Sequence, residues 1–176
     1  SAWPTWRPEC TPPAALFHYS RDRRGEHPRT HLAAWSGILQ ADAYGGYNEL
    51  YAAGRQPGPV HEAGCFAHAR RKFFELADVE GAARRKSRGE RIGTVYPIAL
   101  EAVHKLDALF EIERSLNGLG QAERLVARRE HSAPLMDDLH NWLQAQLAKL
   151  SRNHDLAKAI NYMLRRWQAF TRFLDD

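Results

Sequence analysis

Cysteine is scarce in this sequence, and several other features are missing altogether. Only Cys10 and Cys65 occur, far apart and without the paired spacing of a disulfide framework or a four-thiolate zinc site. No apolar run approaches the roughly 20 residues that a transmembrane helix needs, and the first residues lack the charged and then apolar layout of a signal peptide. We therefore expect a cytoplasmic protein in a reducing compartment, with no membrane partner.

The sequence does contain enough apolar material for a folded unit. Its 176 residues are 44% hydrophobic, which is typical of a globular chain with a real core. The formal net charge of +4 favours a polyanionic partner, although proteins that never bind nucleic acid also carry such a charge.

The hydrophobic pattern changes along the chain. Four prolines and the lack of any period predict an irregular arm over residues 1–13. Short apolar runs predict strands at Leu16 to Tyr19, Leu39 to Ala41 and Val60 to Gly64. A helical period begins after Cys65.

Beyond a basic connection, the pattern is helical throughout. It predicts helices at about residues 93–115, 121–131, 134–150 and 154–174. The predicted fold class is therefore α+β, with a strand-containing region at 14–78 followed by an all-helical region at 79–176.

Asp42 is the first residue with candidate chemistry. It directly follows a predicted strand, and α/β folds place reactive groups at the carboxyl ends of strands. The alternative is an ordinary turn or capping aspartate. Local pattern alone leaves both interpretations open.

Cys65 and His68 form a second candidate site because helical spacing places them on one face, with His61 four residues before Cys65. A thiolate and two imidazoles suggest a zinc-dependent module. Tetrahedral zinc normally has four protein ligands, or three with an open position, and no further pair completes the set. A buried cysteine and a hydrogen-bonded histidine are the favoured alternative.

Two groups of cations are candidate phosphate contacts, since guanidinium groups bind phosphate oxygens in a bidentate manner. The first group is Arg70, Arg71 and Lys72, within one helical turn, and the second is Arg84, Arg85, Lys86 and Arg88, in the predicted connection. A solvated helix face is the alternative for the first group.

Taken together, several motifs in order along the chain closely resemble the insertion-sequence-66 family of bacterial transposases. They are Tyr19-Ser20-x-Asp22-Arg23-x-Gly25-Glu26-His27-Pro28, Gly37-x-Leu39-Gln40-Ala41-Asp42-x-Tyr44-x-Gly46-Tyr47-Asn48, Cys65-x-Ala67-His68-Ala69-Arg70-Arg71-Lys72-Phe73-Phe74, Arg128-Arg129-x-x-Ser132-x-Pro134-Leu135 and Trp167-x-x-Phe170-Thr171-x-Phe173-Leu174-Asp175-Asp176. The similarity runs from about Ala14 to Asp176, whereas residues 1–13 do not look like the strand that the family has there.

The resemblance implies a partial ribonuclease H-like core, followed by a helical insertion, and an Asp-Asp-Glu transposase that acts with two Mg²⁺ ions. Asp42 matches the second catalytic aspartate and would be a metal ligand, and Cys65 with His68 matches a cysteine-x-x-histidine feature, which makes His68 a candidate catalytic residue. The first aspartate and the glutamate have no counterpart here.

Two functions follow from this resemblance. The first is DNA transposition, realised in a longer protein of which this chain is a fragment. The second is a non-catalytic DNA-binding or interaction fragment of a degraded mobile element. The expected partners are DNA and either a second copy of the chain or intact transposase, and the expected cofactor of the full-length enzyme is Mg²⁺.

Overall fold

The computed structural model describes residues 14–77, 81, 84, 87–89 and 96–175. The first part contains α1 (Glu26–His31), β1 (Gly37–Ala41), a 3₁₀ helix (Gly45–Tyr51), β2 (Val60–Gly64) and α2 (Phe66–Ala77). The second part contains α3 (Pro97–Ser115), α4 (Gln121–Ala127), a π-helical turn (Arg128–Ser132), α5 (Ala133–Leu147), α6 (Asp155–Leu164), α7 (Trp167–Thr171) and a 3₁₀ turn (Arg172–Leu174).

β1 and β2 form a parallel pair, in register from Gly37 opposite Val60 to Ala41 opposite Gly64. Side chains alternate across the pair, as the period of two requires. Val60 and Gly64 are buried against the helices, whereas Ile38 on the other face is 40% exposed. The face that contains Val60 and Gly64 is therefore the more deeply buried of the two.

One hydrophobic core joins the helix that follows the sheet to the later helices. Phe73 of α2, Leu106 of α3, Leu139 of α5 and Ile160 of α6 are all 1% exposed or less. Within each of these helices the buried residues recur near a period of 3.6, so that one stripe of each helix faces the centre. This core contains residues from both sides of the boundary predicted near residue 78. The division of the chain into regions at 14–78 and 79–176 stays a prediction.

The two strands predicted at 39–41 and 60–64 and the helical character of 134–174 are confirmed, with no strand between residues 134 and 174. The strand predicted at Leu16 to Tyr19 is wrong. These residues lie in no strand, and Leu16, Phe17 and Tyr19 are 83%, 95% and 93% exposed. Their backbone groups have no strand partner, because β1 and β2 pair only with each other among the described residues.

The final predicted helix is interrupted. α6 ends at Leu164 and α7 begins at Trp167, which turns the chain back so that Phe170 reaches the sheet. There, a Cβ added to Gly64 would stand 2.7 Å from the Phe170 ring. The break thus brings the last helices against β2.

The α+β class is confirmed, and the residues of the predicted arm at 1–13 lie outside the described residues. No helix in the described part of the chain is both long enough and apolar enough to cross a membrane.

Candidate functional site

Asp42 directly follows β1, at the carboxyl end of the strand. Its carboxylate accepts a hydrogen bond of 3.2 Å from the backbone N–H of Tyr44, which closes a short turn. The intervening residue Ala43 has a φ of 61°, a left-handed conformation that is unfavourable for a residue with a Cβ. Such local strain concentrates at functional sites, and here it holds the half-buried Asp42 carboxylate at the strand end.

Tyr162 of α6 connects this strand end to the helices. Its hydroxyl donates a hydrogen bond of 3.1 Å to the backbone oxygen of Asp42. The Tyr162 ring centroid lies 5.9 Å from the His68 ring centroid and 4.7 Å from the Lys72 Nζ. Burial, and then the nearby Cys65 and Asp42, raise the pKa of Tyr162 to about 12, so its hydroxyl stays a donor at neutral pH.

Glu62 is a second carboxylate in this region, but it already has a cationic partner. Its side chain pairs with the Arg166 Nε at 3.0 Å, and its backbone oxygen accepts a bond of 2.8 Å from the Arg172 Nε. The pair is less than a third exposed on both sides. Glu62 therefore fastens β2 to the end of α6 and to the final turn.

The Tyr51 hydroxyl is buried nearby and has no hydrogen-bond partner among the described residues. Burial, followed by the charge of Glu62, raises its pKa to about 12. A buried hydroxyl without a partner is unfavourable, and we have no physical account of its role.

Asp22 and His27 form a further pair close to Asp42. The two side chains meet at 2.7 Å between His27 Nε2 and Asp22 Oδ1, and Arg24 donates its backbone N–H to the same oxygen at 3.1 Å. The Arg24 backbone N–H and then the His27 side chain hold the pKa of Asp22 below its usual value. Asp22 is thus ionised and partnered at neutral pH.

The described residues do not assemble a complete metal site. No group of three or more His, Cys, Asp or Glu side chains among them is placed so that it could hold a metal ion. The zinc hypothesis finds no support, because His61 is an exposed residue of β2 that is not gathered with Cys65 and His68 into such a group. Asp42 provides one carboxylate only.

The predicted phosphate contacts differ in their surroundings. Arg70 forms two bonds to Asp107, of 2.5 Å and 3.0 Å, which commit its guanidinium to the contact between α2 and α3. Lys72 covers the Tyr162 ring, and Arg71 is exposed. Arg84 and Arg88 are also exposed. Arg85 and Lys86 lie outside the described residues.

Sequence comparison gives this arrangement a context. A model of the family described as "Transposase IS66 family" matches residues 2–176. The chain belongs to the IS66 transposase family. This match confirms the resemblance in the sequence motifs.

Three relatives of this IS66 chain come from Sinorhizobium fredii (strain NBRC 101917 / NGR234). The uncharacterized protein y4hP is 54% identical over 166 residues, y4jD is 34% identical over 167, and y4qI is 31% identical over 169. Each alignment covers 94% of this chain and 29% to 30% of the relative. The chain thus spans less than a third of the length of these relatives. No solved structure matches it.

Sequence reasoning missed Tyr162 as part of the site. Its contact with Asp42 joins residues 120 positions apart, and a tyrosine on an apolar helix stripe gives no local signal of such a contact. Asp22 and His27 lie within the first motif of the family resemblance. Their pairing is visible only in the structure, where the backbone between them turns.

Proposed function

We propose that this chain is the part of an Asp-Asp-Glu transposase with a ribonuclease H-like core that contains the second catalytic aspartate, Asp42. The supporting observation is that Asp42 stands at a strand end and forms no ion pair with any of the described residues, whereas Asp22 and Glu62 each form one. A carboxylate in that state is suited to bind a divalent cation, and Mg²⁺ prefers oxygen ligands.

His68 is proposed to act in the same site. The ring of Tyr162 lies beside His68, and the hydroxyl of Tyr162 is bonded to Asp42. His68 would contact DNA or bound water near Asp42, with its ring oriented by Tyr162. Asp42 and His68 are our candidate catalytic residues.

The complete reaction would be phosphoryl transfer on DNA with two metal ions about 3.5–4 Å apart, one at the attacking oxygen and one at the leaving oxygen. The residues described here do not fit a complete site of this kind, because no group of three or more His, Cys, Asp or Glu side chains among them is placed to hold a metal ion. We therefore derive no catalytic step through the metal, and the 176-residue chain is expected not to cleave DNA.

DNA binding is assigned to cations outside the metal site. Arg71, Arg84 and Arg88 are exposed, and the Lys72 Nζ lies over the Tyr162 ring. Arg70, Arg85 and Lys86 complete the proposed set, with Arg70 also stabilising the fold. Such cations release counterions from the phosphate backbone, so binding would be weak, independent of sequence and steeply dependent on salt.

The non-catalytic alternative is favoured by one observation. The apolar side chains of Leu16, Phe17 and Tyr19 are almost fully exposed, and an exposed apolar segment is a typical contact for another protein surface. A second copy of the chain or intact transposase in the cytoplasm is the proposed partner. Size-exclusion chromatography of the chain, alone and with a full-length relative, tests this alternative.

Electrophoretic shift assays at several salt concentrations, run beside a supercoiled-plasmid nicking assay with Mg²⁺, test the main proposal. The expected result is salt-sensitive binding to unrelated sequences and no nicking. A DNA affinity that does not change with salt would contradict the proposed contacts. Nicking that disappears in Asp42→Ala would show that neighbouring carboxylates complete the metal site in this chain.

A further inference from the structure

A cavity of about 380 Å³ opens beside Asp42. One wall is formed by the segment between Leu16 and His31, and the opposite wall contains Asp42, Tyr44 and Tyr47. The volume falls within the range of small-molecule sites and is far too small for a DNA duplex. Phosphoryl transfer at Asp42 would not by itself require this cavity.

The two walls are held together by backbone contact. A Cβ on Gly25 would stand 2.9 Å from the Cα of Gly46, so only glycine permits this approach. An ion pair between Arg29 and Glu49 joins the same two segments. The two walls are therefore joined at two points, the Gly25–Gly46 contact and the Arg29–Glu49 ion pair.

One cation on the wall has no carboxylate partner. Asp22 is paired with His27 at 2.7 Å and with Arg24 at 3.4 Å. Arg23 forms no ion pair with any of the described residues, and its Cζ lies 5.5 Å from the centroid of the Tyr44 ring. A guanidinium group in this state is available to a phosphate.

The aromatic wall is suited to a base. Tyr44 and Tyr47 pack edge to face, with ring centroids 5.7 Å apart. Nucleobases stack on such rings without regard to sequence, because every base has a π-face. The cavity thus combines one cation without a carboxylate partner, two aromatic rings, three histidines (His18, His27 and His31) and the carboxylates of Asp22 and Asp42 within the space of one nucleotide.

We propose that this cavity binds the unpaired terminal nucleotide of a DNA strand, with its phosphate on Arg23 and its base against Tyr44 and Tyr47. This inference rests on the proposed function, because it places the strand end next to Asp42. A paired terminus would be excluded by the size of the cavity, so single-stranded ends should bind better than blunt duplex ends.

Fluorescence anisotropy with a labelled oligothymidylate and a labelled blunt duplex provides the first test. Arg23→Ala should weaken binding of the single strand about tenfold, in line with the loss of a phosphate contact and its neighbouring stack. Arg21→Ala is the matched control, since it removes an equal charge from the same loop outside the cavity. Thermal unfolding of both variants shows whether each is folded.

Photocrosslinking provides the second test. An oligonucleotide with 4-thiothymidine at its terminal position should crosslink to the peptide that contains Tyr44 and Tyr47, whereas an internal 4-thiothymidine should not. Equal effects of Arg23→Ala and Arg21→Ala, or crosslinks that map away from the cavity, would overturn the inference. If DNA still bound through Arg71 and Lys72 in that case, the proposed function would stand, whereas no DNA binding at all would contradict both.

Discussion

Tyr162 and Asp42 are joined by a hydrogen bond of 3.1 Å from the tyrosine hydroxyl to the aspartate backbone oxygen. The bond connects the last helices to the strand end that holds the proposed catalytic carboxylate. The helical region therefore positions the site directly, in addition to packing beside it.

Replacing Tyr162 with phenylalanine removes this bond and leaves the backbone oxygen without its partner. We expect the free energy of unfolding to fall by about 1 kcal/mol, with faster amide hydrogen exchange at residues 41–44. Tyr19→Phe is the control, because that side chain is 93% exposed. Equal stability of the two variants in denaturant titrations would show that the bond contributes nothing.

Gly64 is predicted to be intolerant of any side chain. A Cβ there would stand 2.7 Å from the ring of Phe170, which is completely buried. Gly64→Ala should therefore destabilise the protein by about 1–3 kcal/mol, as overpacked cores do. The matched control is Gly45→Ala, whose added Cβ would meet only the Asn48 side chain at 4.0 Å. Thermal unfolding of both variants measures the difference, and a Gly64→Ala variant as stable as the control would show that the helices shift freely.

Arg70 and Arg71 are adjacent, yet their roles should separate. The Arg70 side chain holds the pKa of Asp107 below its ordinary value of 3.8. A lowered carboxyl pKa in the folded state contributes stability above the unfolded pKa, and this contribution is lost as the pH falls through the folded value. Arg70→Met should thus cost about 0.5–1 kcal/mol at neutral pH, a range suited to a partly exposed pair, and progressively less below pH 3.8.

Arg71→Met should show the opposite behaviour, because its exposed side chain has no such partner among the described residues. Its unfolding free energy should match the parent at every pH, while its DNA affinity falls and the salt dependence of binding becomes less steep by about one phosphate contact. Urea titrations across a pH series and shift assays measure the two effects. A stability loss in Arg71→Met equal to that in Arg70→Met would remove the distinction.

The parts of the fold that could be predicted from sequence are those with local signals. β1, β2 and the helices follow from hydrophobic periods, and Asp42 was placed at a strand end because an apolar run precedes it. The segment Leu16 to Tyr19 has the composition of a strand, but composition does not show whether a neighbouring strand is present to pair with it. Its exposure could not be foreseen for that reason.

The environment of the site depends on contacts between distant residues. Arg166 reaches Glu62 over 104 positions, and this pairing removes Glu62 from the candidate metal ligands. The interruption of the helix after Leu164 allows this contact. The hydrophobic period across residues 154–174 continues through the interruption and gives no signal of it. Whether a carboxylate such as that of Asp42 is left without an ion pair depends on such contacts between distant residues, and these contacts are seen only in the structure.

Binding of a divalent cation at Asp42 is the central feature of the proposed site. Titration of the isotope-labelled chain with Mn²⁺, followed by NMR, tests this directly, because the paramagnetic ion broadens signals near its binding site. Asp42→Asn keeps the side-chain oxygen that accepts from Tyr44 but removes the charge. Asp155→Asn is the control, since Asp155 is an exposed carboxylate paired with Lys158 at 2.8 Å. We predict broadening centred on residues 41–44 that disappears in Asp42→Asn and persists in Asp155→Asn, and broadening that is centred elsewhere or unchanged in Asp42→Asn would contradict the assignment.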